Sequence, residues 1–399
     1  MSDRFRNSLT VFMLVILAVS AFVAGYLTRE LTTTRGNGTV ARAEQEMSLY
    51  YEAWDLIGDN FLGAIPASRD ITYGAIRGSI SALNDPYTVF IEPADRATER
   101  ERLQGSFGGI GAFISRSEET GEVILDPIPG NPAEAAGILT GDILLAVDGR
   151  PVTAEITVPE IVDWVKGEKG TTVVVTVRHA GAADPVDISI VRDNILLPSV
   201  AYRILEEDPT IGLIQLSRFS GESGKEVGAA IQDLQARGAV RFILDLRQNG
   251  GGLRDAAVDV VDHFLDSGPV LYLRTQEEGE RVFSATAPTL VDDEPLVVLI
   301  DGGTASASEI VAGALQDRER ATLIGNSRTF GKGSVQLVFD LTDGSSVHVT
   351  SARWFTPNRN QIDQRGLEPD ILVEVTQQAI DDGLDPVLDR AIQFLQENP

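Results

Sequence analysis

The chain has 399 residues, enough for two or three domains with cores of their own. A formal net charge of −26, with no basic stripe in the sequence, argues against nucleic-acid binding, because a polyanion would be repelled. There is no cysteine, which excludes disulfides, a thiolate nucleophile and a thiolate metal site, and leaves the redox compartment open.

Arg4 and Arg6 precede Leu9–Leu27, an uncharged and mostly apolar run of nineteen residues ended by Thr28-Arg29-Glu30. At 1.5 Å per residue this run just spans a hydrocarbon core of about 30 Å. Small residues at Ala18, Ser20, Ala21 and Ala24 keep a cleaved signal peptide as the alternative to an uncleaved anchor. The leading arginines place the N-terminus in the cytoplasm and the rest of the chain outside it. Residues 1–29 are therefore expected to be a membrane anchor or signal segment, and the aperiodic polar residues 30–43 a flexible tether.

Met47, Tyr50, Trp54, Ile57 and Phe61 recur at helical spacing, as do Tyr73, Ile76, Ile80 and Leu83 ahead of Asn84-Asp85-Pro86. A charged segment after Pro93 predicts a third, mostly solvated helix, so residues 44–104 form a helical region. Residues 105–182 read as a small β-rich domain with short helices near Pro132–Ala136 and Ile161–Val165. Residues 183–378 alternate apolar strands with helices, predicting an α/β core. Residues 379–399 carry a closing amphipathic helix.

Within that core, Leu296–Ile300 is an apolar strand that ends at Asp301-Gly302-Gly303, with a helical pattern starting just beyond. A strand, a tight turn and a helix start expose one side chain beside free backbone N–H groups, and Ser306 stands there. Ser306 and Glu309 also fit a capping box, Ser-x-x-Glu, a purely structural reading that the spacing alone does not exclude. Lys332 lies between Gly331 and Gly333, in a chain with four lysines and twenty-nine arginines. Burial can lower a lysine's pKa until it accepts a serine proton, which arginine cannot do. Gln336 is placed to orient that lysine.

A P-loop reading of Gly325–Gly333 fails, because five residues rather than four separate the glycines and Gly333 replaces the required hydroxyl residue. His179, His263 and His348 lack partners at metal-site or triad spacing. A second strand–turn–helix junction follows Val240–Arg247, with Gly250, Gly251 and Gly252 in its turn. It suits an oxyanion hole built from the N–H of Gly251 or Gly252 together with that of Ala307, or else is a plain β-to-α turn. Arg247 and Asp317 are expected to support loops rather than perform chemistry.

The runs ASASEIVAGALQD and RTFGKGSVQ, with LDLRQNGGG, GDILLAVDG and TPNRNQIDQRGLEPD, closely resemble the C-terminal processing peptidases. These are serine peptidases with a Ser/Lys dyad and an embedded PDZ domain, and the resemblance covers the chain from about Glu44 onwards. It implies a multidomain α/β fold, with a crotonase/ClpP-like peptidase core and an inserted PDZ domain. It implies Ser306 as nucleophile, Lys332 as general base and Gln336 as support for the lysine, with no cofactor or metal.

For the PDZ domain it implies that Phe107, Gly108, Gly109 and Ile110 hold a terminal carboxylate. Ile110, Phe113, Ile161 and Val165 would then line a pocket for the last side chain. The expected partners are proteins or peptides with apolar C-terminal tails, and the membrane through the N-terminal helix. The helical region 44–104 would form a lid or a homodimer contact, or simply pack on its neighbour. The expected location is the extracytoplasmic side of the cell membrane. A non-catalytic PDZ scaffold and a crotonase-type acyl-CoA enzyme are the rival readings.

Overall fold

The computed structural model describes residues 46–276, 279–286 and 288–398. The expected anchor at Leu9–Leu27 and the tether lie outside these residues. Among the described residues no helix is long and apolar enough to cross a membrane. The chain divides into two compact units between Ile76 and Arg77.

In the first unit, residues 46–60 are helical and the helix Ser68–Ser81 begins. The apolar spacing does make a helix here, and Tyr50 and Trp54 meet with ring centroids 6.3 Å apart. Leu49, Leu56, Phe61 and Leu62 nevertheless remain exposed.

The second unit holds a six-stranded sheet in the order Val200–Ile204, Ile211–Leu216, Arg241–Asp245, Leu296–Ile300, Thr322–Gly325, Ile371–Leu372. Only the first pair is antiparallel. Side chains alternate between two apolar layers, as a two-residue period requires. Phe242, Leu244, Val298 and Ile300 face the helices Ser223–Ala236, Arg254–Val261 and Ala307–Asp317. Ile243, Val297 and Leu299 face the closing helix Pro386–Glu397. A parallel sheet covered on both sides needs continuous apolar strands, which is how these segments read. A second, antiparallel sheet joins Val89–Ile91, Ser334–Asp340, Ser346–Phe355, Pro269–Thr275 and Gly279–Ser284.

The small domain has its own core, including Ile110, Leu125, Leu144, Ile161, Val165 and Val175. Its sheet takes in Val186–Val191, which pairs with Thr172–Arg178 beyond the expected boundary at residue 182. Ile188 and Ile190 complete that core, so a strand expected in the α/β core is part of the small domain.

Candidate active site

Arg241–Asp245 and Leu296–Ile300 are neighbours in the parallel sheet, so the turns after them meet at its C-terminal edge, where ligands bind in open α/β sheets. Asp301 stitches the two turns together. Its Oδ1 accepts the N–H groups of Gly303 at 2.9 Å and Gln248 at 3.0 Å. From the other turn, Asn249 O accepts from Ala305 N at 3.0 Å and from Ser308 Oγ at 2.8 Å.

Ser306 emerges at the N-cap of Ala307–Asp317 with φ 56° and ψ −114°. For a residue with a Cβ this costs about 1–3 kcal/mol, a strain often stored at functional turns. Gly251 presses against it, since a Cβ there would lie 2.9 Å from Ser306 Cβ and 3.0 Å from Ala307 N. No side chain fits between the glycine turn and the serine.

Glu309 has no exposed surface and gathers four donors. Oε2 accepts Ser306 N–H at 2.8 Å and Lys332 N–H at 2.9 Å, while Oε1 accepts Gly331 N–H at 2.7 Å and the Thr329 hydroxyl at 2.6 Å. Ser306 and Lys332 are thus held by their main chains on one carboxylate oxygen. The capping contact and the site are one structure, because the Glu309 that caps the helix also fixes the lysine loop. Burial pushes the Glu309 carboxyl above its ordinary value, and the four bonds oppose that.

The Lys332 loop is also held from the far side. Trp354 Nε1 donates to Lys332 O at 3.0 Å, and Trp354 N donates to Gly333 O at 3.0 Å. A Cβ at Gly333 would lie 2.6 Å from Asp363 N, so this position needs glycine for close backbone approach. Burial holds the Lys332 amine below its ordinary pKa, against Glu309 and Glu99. Among the described residues no hydrogen bond joins Lys332 Nζ to Ser306 Oγ. Nζ rests on the Tyr87 ring, 5.3 Å from the centroid.

Residues 210–373 match peptidase family S41, and residues 123–179 match a PDZ domain. A carboxy-terminal-processing protease of Bartonella bacilliformis is 34% identical over 369 residues, covering 90% of this chain and 83% of its own. A carboxyl-terminal-processing protease of Picosynechococcus sp. is 36% identical over 378 residues, covering 92% and 90%. A solved photosystem II D1 C-terminal processing protease is 34% identical, covers 80% of this chain and 86% of its own, and superposes with a TM-score of 0.46. The chain belongs to the carboxy-terminal-processing proteases of peptidase family S41. It is a serine-type peptidase with a PDZ domain, and the scaffold and crotonase-type readings give way to this one.

In this S41 peptidase the oxyanion candidates separate. Gly251 N–H is taken by Asn249 Oδ1 at 2.9 Å, because the asparagine closes its own turn; this corrects the expectation for Gly251. Among the described residues no acceptor engages the N–H of Gly252 or Ala307. A Cβ at Gly252 would lie 2.1 Å from Phe219 O, so only glycine fits this close approach to the neighbouring backbone. Gln336 donates to Ser334 Oγ at 2.9 Å and makes no bond to Lys332 among the described residues. Asp317 Oδ2 accepts Asn358 N–H at 2.7 Å, holding a neighbouring loop. Arg247 bridges Asp245 and Asp385.

The PDZ pocket expectations need correcting. Ile110, Ile161 and Val165 lie inside the domain core, where their apolar spacing puts them. Phe107, Gly108 and Gly109 form a ladder with Asp193–Ile195, and Gly167 N donates to Gly108 O at 3.1 Å, so this stretch is a strand rather than an open loop. Phe113 is 68% exposed on Ala112–Arg116, the edge strand of the sheet, against which the helix Val158–Val165 packs.

Sequence reasoning missed Tyr87, Glu99 and His348. Glu99 lines a cleft of about 440 Å³ with Arg218, Phe219 and Gly251, accepts from Arg96 at 2.9 Å and lies 3.2 Å from His348 Nε2. Charged residues in a helix read as solvated gave no signal of this.

Proposed function

We propose that the peptidase cleaves by a Ser306/Lys332 dyad and selects substrates through their C-terminal tails. The observation that carries the dyad is Glu309 Oε2, which holds the main chains of both residues. Neutral Lys332 takes the proton of Ser306 as Oγ bonds to the scissile carbonyl carbon. The N–H groups of Gly252 and Ala307 stabilise the oxyanion, each worth about 3–4 kcal/mol of barrier. Collapse breaks the C–N bond, the lysine proton passes to the leaving amine, and water then hydrolyses the acyl-enzyme. Gln336 and Ser334 support the start of the strand that follows Lys332. A substrate tail adds as a strand along the Ala112–Arg116 edge beside the helix Val158–Val165.

This reading includes a membrane anchor at Leu9–Leu27, supported by its length and flanking arginines, with the catalytic part outside the cytoplasm. It also includes a homodimer contact through the helical N-terminal region, supported by its exposed Leu49, Leu56 and Phe61.

The test incubates an unfolded protein with the wild-type chain, Ser306→Ala and Lys332→Ala. The wild type cleaves it, and both variants lose at least about a thousandfold in kcat. Cleavage by either variant at the wild-type rate overturns the dyad.

A further inference from the structure

Asp85-Pro86-Tyr87-Thr88 is a turn fixed by its own side chains. Asp85 Oδ1 accepts Tyr87 N–H at 3.2 Å, and Oδ2 accepts the Thr88 hydroxyl at 2.6 Å. Thr88 Oγ1 accepts Thr350 N–H at 3.1 Å, and the following strand Val89–Ile91 pairs with Ser346–His348. The turn is therefore fastened to Ser346–Phe355, the strand whose Trp354 also grips the Lys332 loop. Tyr87 arrives at the site from a point more than two hundred residues earlier in the chain, with its ring face against Lys332 Nζ. Its hydroxyl has no hydrogen-bond partner among the described residues, so the ring is what meets the lysine.

We infer that Tyr87 is a positioning residue for the general base, whose ring seats the Lys332 amine and keeps water from it. The inference rests on Lys332 being the base. The ring has two opposed effects, since its negative face favours an ammonium while its bulk excludes the water an ammonium needs. Burial is the leading influence that lowers the Lys332 pKa, and the Tyr87 ring is one of the groups that cover the amine.

The other charged groups around the pair come from every element packed there. Glu309 faces Lys332 from the Ser306 helix, and Glu99 from the helix Pro93–Gln104. His348, within reach of both Glu99 and Lys332, comes from Ser346–Phe355. Asp85 and Asp363 face Tyr87 itself. Replacing the ring changes none of these.

The test compares Tyr87→Phe and Tyr87→Ala in the full chain, with Tyr87→Val in place of the alanine variant if far-UV circular dichroism shows that one unfolded. Tyr87→Phe is expected to keep kcat/KM within about twofold and to leave the pH profile unchanged. Tyr87→Ala loses about 10- to 100-fold in kcat at pH 7, and its acid limb moves to higher pH. With only four lysines, 13C-methylation reads the Lys332 titration directly. It should move up toward the ordinary lysine value in the alanine variant and stay in place in the phenylalanine one. If Tyr87→Phe loses as much as Tyr87→Ala, or if the small variant leaves both rate and titration unmoved, Tyr87 has no such role. A Lys332→Ala chain that still cleaves refutes the base itself, which separates the two failures.

Discussion

A buried carboxylate with four donors leaves no room for an isosteric swap. In Glu309→Gln the amide nitrogen would face either Ser306 and Lys332 N–H or Gly331 N–H and the Thr329 hydroxyl, setting donor against donor. Each stranded buried donor costs about 1–3 kcal/mol, so the variant should lose about 2–4 kcal/mol in urea unfolding. Because the same bonds set the distance between serine and lysine, kcat should fall about a hundredfold with KM little changed. A variant as active as wild type would mean that Glu309 only caps its helix. Lys332 gives a prediction of the opposite sign. Burial lowers its proton affinity, so between the lowered value and the ordinary 10.5 the unfolded chain binds more protons than the folded one. Stability at this residue is depressed below that window and recovers as pH rises through it. Lys332→Met should therefore be inactive yet more resistant to urea than wild type at pH 7, with the advantage fading as pH approaches 10.5. An advantage that grows with pH would show that the amine is stabilised in its charged form.

At the scale of elements, the two strand–turn–helix junctions were legible because their signals are local: an apolar run, glycines, then a helix start. Glu309 was legible only as a cap, since its contacts with Thr329, Gly331 and Lys332 depend on which strands lie side by side. Tyr87 and Glu99 were invisible for the same reason, as each reaches the lysine from a distant part of the chain, and His348 depends on the pairing of its strand with the one after Lys332. Ile110, Ile161 and Val165 failed differently. Apolar periodicity shows that a face is buried but not whether it meets a core or a ligand. That difference decides how the PDZ domain should be tested. Ile110→Asp would put a carboxylate into a position only 2% exposed and unfold the domain, whatever binds there. Phe113→Glu changes an exposed side chain on the open edge strand. It should leave thermal stability within about 0.5 kcal/mol while weakening an apolar-tailed peptide about tenfold, read by fluorescence anisotropy. Undiminished affinity would move the tail-binding surface off this edge.

Across the whole molecule, the apolar clusters determine what unfolds together. The helix-facing and closing-helix layers share the strands of one sheet, so neither can open without exposing the other. The small domain's cluster draws on a different sheet and shares no residue with either. Cooperative units follow contiguous cores, so calorimetry should resolve two transitions. Leu125 is wholly buried in the small domain, and Leu125→Ala should cost it about 2–5 kcal/mol. In a domain of this size that lowers its own transition by at least about 10 °C. The other transition, which carries Ser306 and Lys332, should stay in place, and hydrolysis of a short peptide that does not need the PDZ domain should be unaffected. Glu309→Gln should do the reverse, lowering the catalytic transition and leaving the small domain's where it was. If both substitutions shift a single common transition, the two cores are energetically one. Tail recognition and bond cleavage would then have no separate folding units to act through.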